Sequence, residues 1–218
     1  MPDTREIIAK RCAKFFKDGD LGNLGIGLPT LVANYLPADI NVMLHSENGF
    51  IGLGPSPEPG KEDKDIVNAG GVPVTILPGG ACFDSAFSFL LARGGHVDIT
   101  VLGALEVDEK GDLANWFVPG KLVPGMGGAM DLVNGAKKVV IAMEHTTKDG
   151  GIKILKKCRL PLTAVGVVDF IVTELGVMEV TGDGIVLREL APGVTAEDIQ
   201  SKTEAALILP DVIAEMAQ

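Results

Sequence analysis

The sequence predicts an α/β fold with a mostly parallel sheet and antiparallel hairpins added late in the chain. Three observations carry this. Short runs rich in Val, Ile and Leu alternate with helix-period segments through the first two thirds. Hairpin signals then take over, clearest in GVMEV-TGDG-IVLREL. The composition is 46% apolar but only 5% aromatic, with 28 glycines, which suits an aliphatic interior with many tight turns.

The elements follow in order. Ile7, Ile8, Cys12, Phe15 and Phe16 fall at helical spacing among Glu6, Lys10, Lys14 and Lys17, so an amphipathic helix opens the chain. Asp18-Gly19-Asp20 stops it. LGNLGIGLP reads as a strand ending in a glycine loop, and Pro29 begins a helix through Tyr35. Residues 41–46, NVMLHS, form a second strand. The Pro- and charge-rich stretch 55–65 is an exposed loop. VPVTIL is a strand, and FDSAFSFLLARGG a helix closed by a glycine pair. VDITVLGALEV is expected as one buried strand running into a turn at 108–111, with LANWFV returning. PGKLVPGMGGAMDLVNGA is a glycine-rich loop leading into a short helix. KKVVIAM and VDFIVTEL are core strands. In the late hairpin Gly-Asp-Gly supplies positive φ angles. Thr195 caps a helix, and ALIL is a last strand.

Composition also excludes function classes. The 218 residues suit one domain, 1–218. With 19 Lys and Arg against 29 Asp and Glu, the net charge is −10, and no basic stripe is available for nucleic acid. Cys12, Cys82 and Cys158 lie far apart with no C-x-x-C or Cys/His cluster, so neither a disulfide framework nor a metal site is expected. The charged N-terminus lacks the apolar run of a secretory signal, and no apolar run is long enough to span a membrane. A cytoplasmic protein is expected.

The segment most suggestive of chemistry is His45 to Pro55, HSENGFIGLGP. It puts a polar cluster at a strand end, the place where open α/β sheets bind ligands, so Glu47 is placed to project into a crevice. Asn48 and Gly49 permit the sharp turn. Spacing alone favours a polar strand-end turn with a solvated glutamate. NLGIG lies at a strand-to-helix junction where small residues admit a ligand, with Asn23, Gly25 and Gly27 as candidates; a plain tight turn reads the same way.

LHSENGFIGLGP resembles the signature of the β subunit of family I CoA-transferases, the short-chain acyl and 3-oxoacid type. NLGIGLPTLVANYLP, NAGG then LPGG, RGGHVDITVLGALEVDEKGDLANW, VPGKLVPGMGGAMDLVNGAKKVVIAMEH, and PLT then VTELGV fit the same family in the same order. The likeness runs from about Arg5 to about Glu204. It implies an open αβα sandwich of the kind shared with ribose-phosphate isomerases. It implies that Glu47 is the nucleophile, that the Gly128 amide, with Gly127 beside it, stabilises the oxyanion, and that Asn23, Gly25 and Gly27 lie near CoA. It implies coenzyme A as substrate with no tightly bound cofactor. The implied partner is a homologous α subunit in an α2β2 assembly. PGKLVPGMGGAMD resembles the acetate/butyrate–acetoacetate and succinyl-CoA:3-oxoacid branches. A 3-oxoadipate CoA-transferase β subunit and a non-catalytic binding subunit are the alternatives, and an isomerase using Glu47 as a base is a third.

Other tempting residues read as structural. His45, His96 and His145 have no nucleophile–base spacing, although His45 lies close enough to orient the Glu47 turn. Cys82 reads as a small packed residue and Trp116 as hairpin packing. Lys121, Lys137 and Lys138 are candidates for CoA phosphates or simply solvated.

Overall fold

Residues 3–120 and 125–217 are described by a computed structural model, and Lys121 lies outside them. Asp3 caps helix α1 (Thr4–Ala13) by accepting from the Arg5 amide, and Glu6 pairs with Lys10 one turn on. The helix stops at Ala13; Phe15 and Phe16 follow in tighter turns, and Phe16 still reaches the core. Strand β1 (Leu21–Leu24) leads through Gly27, at φ 91°, into a 3₁₀ helix (Leu28–Tyr35) with Pro29 in its first turn. Then come β2 (Met43–Ser46), β3 (Phe50–Leu53) and β4 (Ile76–Cys82). Helix α2 (Ser85–Arg93), capped by Asp84, precedes β5 (Ile99–Leu102), β6 (Glu106–Asp108) and β7 (Leu113–Ala114). The remainder is α3 (Ala129–Gly135), β8 (Val139–Ala142), β9 (Ile154–Leu155), β10 (Phe170–Val172), β11 (Gly176–Thr181), β12 (Gly184–Leu190), α4 (Ala196–Ser201), β13 (Leu207–Ile208) and β14 (Ala214–Glu215).

Among the described residues eleven strands form one sheet, ordered β13-β12-β11-β10-β8-β5-β1-β2-β3-β4, with β14 also on β12. Its centre, β10-β8-β5-β1-β2, is parallel. The β2-β3-β4 meander and the β11-β12 hairpin flank it with antiparallel pairs. A three-stranded sheet, β7-β6-β9, stands apart.

Alternation along the strands divides the interior into two layers. Leu44, Ile99, Val101, Val140 and Val172 pack under α1 and the 3₁₀ helix, against Ile8, Cys12 and Val32. Ile141, Ile171, Met178 and Leu187 face the other way, toward Ile199 of α4 and Val107, Leu113 and Ile154 of the small sheet. Each such buried aliphatic side chain contributes about 1.5–3 kcal/mol. Arg11 of α1 grips Glu189 of β12 through Nε and Nη2 at 2.7 and 2.6 Å, tying the first helix to the late hairpin.

The mostly parallel α/β sheet with added hairpins is present, and several boundaries differ from expectation. VDITVLGALEV forms two strands rather than one: the chain leaves the main sheet after Leu102 and pairs β6 with β7 in the small sheet. VPVTIL contributes only a Val67–Pro73 bridge before β4, because Pro73 has no N–H to donate. Instead β4 runs through Gly79-Gly80, where a Cβ on Gly80 would stand 2.7 Å from the Ile51 carbonyl oxygen. In the late turn Gly184 alone has a positive φ. Among the described residues no helix is long and apolar enough to cross a membrane.

Candidate active site

Glu47 follows the last residue of β2, in the two-strand turn that reverses into β3. It therefore stands at the carboxyl edge of the parallel strands, half-buried, while Gly49 closes the turn at φ 141°. No residue with a Cβ fits at Gly49: the added carbon would lie 2.5 Å from the Phe83 carbonyl oxygen. Asn48 braces the turn from outside by donating to the Val67 carbonyl at 2.7 Å, and Ser46 Oγ donates to Asn48 at 2.6 Å and accepts from the Ala69 amide. The 68–72 loop, folded around the Asn68 side chain, is thus lashed beside Glu47.

Two of the predicted residues meet Glu47 directly. Asn23 Nδ2 donates to Glu47 Oε2 at 3.0 Å, and among the described residues it is the one donor to that carboxylate. The contact follows from topology, since β1 and β2 pair Asn23 with His45 and place Glu47 one pleat on. Gly128, just before α3, comes from the other side. A Cβ there would sit 3.0 Å from the Phe89 ring and 3.3 Å from Glu47 Cγ. Its φ is −85°, so the missing side chain answers crowding, whereas Gly125 and Gly127, at 102° and 58°, use glycine's left-handed freedom.

The remaining candidates fall at different distances from the chemistry. Gly27 lines a cavity of about 320 Å³ together with Ile26, Glu47, Asn68, Gly70 and Val72. Gly25 is a packing residue: its amide bonds the Val101 carbonyl, and a Cβ would meet Leu102 at 2.8 Å. Gly127 has open space around its Cα. A more open hollow of about 400 Å³, bordered by Arg5, Glu144, Lys148 and Lys153, lies at the ends of β5 and β8 and does not include Glu47.

His45 is 2% exposed and lies behind the carboxylate. Its Nε2 is 2.8 Å from Ser88 Oγ on α2, and its Nδ1 is 3.4 Å from Asn23 Nδ2. Asn23 Nδ2 has two N–H groups for three acceptors, Glu47 Oε2, the His45 carbonyl at 3.3 Å and His45 Nδ1, and where it donates to the ring, Nε2 carries the proton. Burial pushes the imidazole below its ordinary pKa, against the pull of Glu47, and keeps it neutral. Ser88 carries no motif signal; only its helical position facing the sheet could have suggested it.

The other residues singled out by sequence lie elsewhere. Lys137 pairs with Asp98 and Lys138 sits over the Phe15 and Phe170 rings, both at the amino end of β8, opposite the edge that holds Glu47. Cys82 is exposed rather than packed. Trp116 stacks on Phe117 and donates to the Leu162 carbonyl. His96 is exposed, and His145 is fully buried between Thr173 and Thr203.

Comparison with known proteins identifies the family of the chain. Residues 5–202 match the Coenzyme A transferase family. The chain is 58% identical over 214 residues to the acetate CoA-transferase subunit beta of Haemophilus influenzae, covering 98% of this chain and 96% of that protein. It is 48% identical over 218 residues to the human mitochondrial succinyl-CoA:3-ketoacid coenzyme A transferase 2, covering 99% of this chain and 42% of the human protein. In structure it resembles the acyl-CoA transferase YdiF apoenzyme of Escherichia coli O157:H7, with TM-score 0.79 at 25% identity, and covers 44% of that chain. A site built around Glu47 at the carboxyl edge of a mostly parallel sheet thus goes with a sequence that belongs to the coenzyme A transferases, as a family I β subunit.

Proposed function

We propose that Glu47 is the nucleophile in a transfer of CoA between a short-chain acyl-CoA and a free carboxylic acid of the acetate, acetoacetate, butyrate or succinate class. The observation that carries this reading is the convergence on one carboxylate of Asn23 Nδ2 at 3.0 Å and the side-chain-free Gly128 backbone.

The reaction runs in balanced steps. A Glu47 oxygen attacks the thioester carbonyl, the C–S bond breaks, and CoA thiolate leaves behind an acyl-glutamyl anhydride. The thiolate attacks the glutamyl carbonyl of that anhydride and expels the first acid as its carboxylate. Glu47 is now a glutamyl-CoA thioester. A second carboxylate attacks it, and the steps run backwards to release a new acyl-CoA and free Glu47. A carboxylate nucleophile suits this exchange: anhydride and thioester are both activated, whereas a serine ester would lose the thioester's energy.

The residues divide the work. One neutral hydrogen bond from Asn23 holds the carboxylate in place for attack. The same donor faces the oxygen that gains charge when thiolate adds to the glutamyl carbon, and the Gly128 N–H serves the oxyanion formed on the incoming acyl group. Gly27, Ile26 and Val72 border the cavity that admits the substrate and sheds water.

The substrate class is supported by relatives named for acetate and for succinyl-CoA and 3-ketoacids. An α-type partner is supported by the name "subunit beta" and by the 42% coverage of the human chain. Ile26 and Val72, on the cavity rim, are 71% and 50% exposed, as an edge awaiting a partner would be. We read the chain as one domain in an α2β2 assembly, using CoA as substrate without a tightly bound cofactor. The absence of paired cysteines among the described residues suits the cytoplasm.

Covalent trapping tests the reading. The chain is co-expressed with its α-type partner, incubated with acetoacetyl-CoA and reduced with borohydride, and the modified peptide is mapped. A label on Glu47, absent from Glu47→Ala, is expected. A complex that binds CoA yet leaves Glu47 unlabelled would overturn it.

A further inference from the structure

One polar row crosses three strands of the aliphatic interior. The register pairs His45 of β2 with Asn23 of β1, and Asn23 with Thr100 of β5. Register partners in a parallel pair point to the same face. That face is the one away from Leu44, Ile99 and Val101, and it is where α2 and Gly128 lie. His45, Asn23 and Thr100 are 2%, 1% and 0% exposed. Ser88, also 0% exposed, closes the row at the His45 end.

The other end is unfinished. Among the described residues the buried polar side-chain atoms with no hydrogen-bond partner are Asn23 Oδ1 and Thr100 Oγ1, and they belong to in-register neighbours. A buried hydroxyl without a partner is costly, and valine would fill the same volume in a strand that otherwise reads Ile-x-Val-Leu. A threonine at this one position calls for a polar purpose.

We propose that Thr100, with His45 and Ser88, is a positioning residue for the transfer reaction: the row decides which edge of the Asn23 amide faces Glu47. An amide has a donor edge and an acceptor edge. The donor edge stabilises the Glu47 carboxylate; the acceptor edge would repel it. The His45 carbonyl at 3.3 Å and, with Ser88 accepting from Nε2–H, His45 Nδ1 at 3.4 Å both offer acceptors that draw Nδ2 to that side of the row. The Thr100 hydroxyl has a proton to give and stands on the opposite side, so it draws Oδ1 through one bridging water. Both ends select the same orientation. None of the three touches Glu47, and all act through Asn23.

The inference rests on Glu47 being the nucleophile. Its test uses the chain co-expressed with its α-type partner and compares Thr100→Val and Thr100→Ser with the parent. Single-turnover loading of Glu47 from acetoacetyl-CoA is followed by borohydride trapping, alongside kcat, KM and Tm. Thr100→Val is expected to slow loading and kcat about five- to tenfold, with KM changed less than about twofold, from the loss of one orienting hydrogen bond. Thr100→Ser, which keeps the hydroxyl, is expected to load within about twofold of the parent. Parental loading by Thr100→Val, with a raised Tm, would show an idle buried hydroxyl and overturn the proposal. Equal slowing of both variants would assign the effect to packing and overturn it too. A parent enzyme with no label on Glu47 would instead bring down the nucleophile reading itself.

Discussion

Two polar clusters sit at the carboxyl edge of the same parallel sheet, and we propose chemistry for only one. At the end of β8 and β10, His145 is buried with Nδ1 3.0 Å from Thr173 and Nε2 3.0 Å from Thr203. Its amide donates to Glu174, and Lys153 caps the Glu144 carbonyl. Each of these groups is engaged within the fold. At the end of β1 and β2, Glu47 holds one donor, Asn23 keeps a buried oxygen without a partner, and Gly128 stands bare beside the carboxylate. Sheet topology puts both clusters where α/β folds bind ligands. What separates them is bonding capacity left over after folding, and that is the better marker of a reactive site.

The comparison breaks most visibly at Glu47. Glu47→Gln keeps the shape and the bond to Asn23 but removes the proposed nucleophile. Transfer should fall by about 10³-fold or more with little change in Tm, measured as kcat and thermal melt on the same preparation. Full activity in the Gln variant would move the chemistry elsewhere. Gly128→Ala should come next. Its φ tolerates alanine, but the new Cβ presses on Phe89 and Glu47 Cγ and displaces the N–H, so kcat should fall about ten- to a hundredfold. Stability should change by about 1 kcal/mol, as for one strained methyl. An alanine variant with parental kcat would remove Gly128 from the mechanism.

Legibility in the sequence follows the range of each interaction. The first helix, the late hairpin and the Thr195 capping box were readable because their signals repeat within a few residues. The break between β5 and β6 was not: Gly103 alone interrupts the apolar run between Leu102 and Glu106, and the cause of the change of sheet is pairing with β7 and β9. The same divide runs through the site. Glu47 was visible as a polar strand end, and its role came from the resemblance of its surroundings to a family. Its contact with Asn23 spans 24 residues and His45–Ser88 spans 43; both depend on strand register and helix placement, which no local pattern encodes. Gly128 was named only through the resemblance, and the crowding that excludes a side chain there was hidden, because Phe89 was not foreseeable as its neighbour. Thr100 looked like any β-branched strand residue until Asn23 stood next to it.

The engaged cluster should answer to pH in stability and leave catalysis alone. Burial, with Lys202 and Lys153 nearby, drops His145 from 6.5 to about 4. Between those values the unfolded chain binds a proton that the folded chain refuses, so unfolding is favoured as pH falls. The stabilisation from neutral His145 is complete above pH 6.5 and is lost on acidification toward about 4, an effect of about 2–4 kcal/mol. Urea melts at a series of pH values should show that slope, and His145→Gln should flatten it at the cost of some stability. Because His145 does not adjoin Glu47, the Gln variant should keep kcat at pH 7.5 within about twofold in whatever fraction stays folded. A large loss of kcat with intact folding would erase the division between the two clusters, since it would mean that the engaged histidine also reaches the reacting carboxylate.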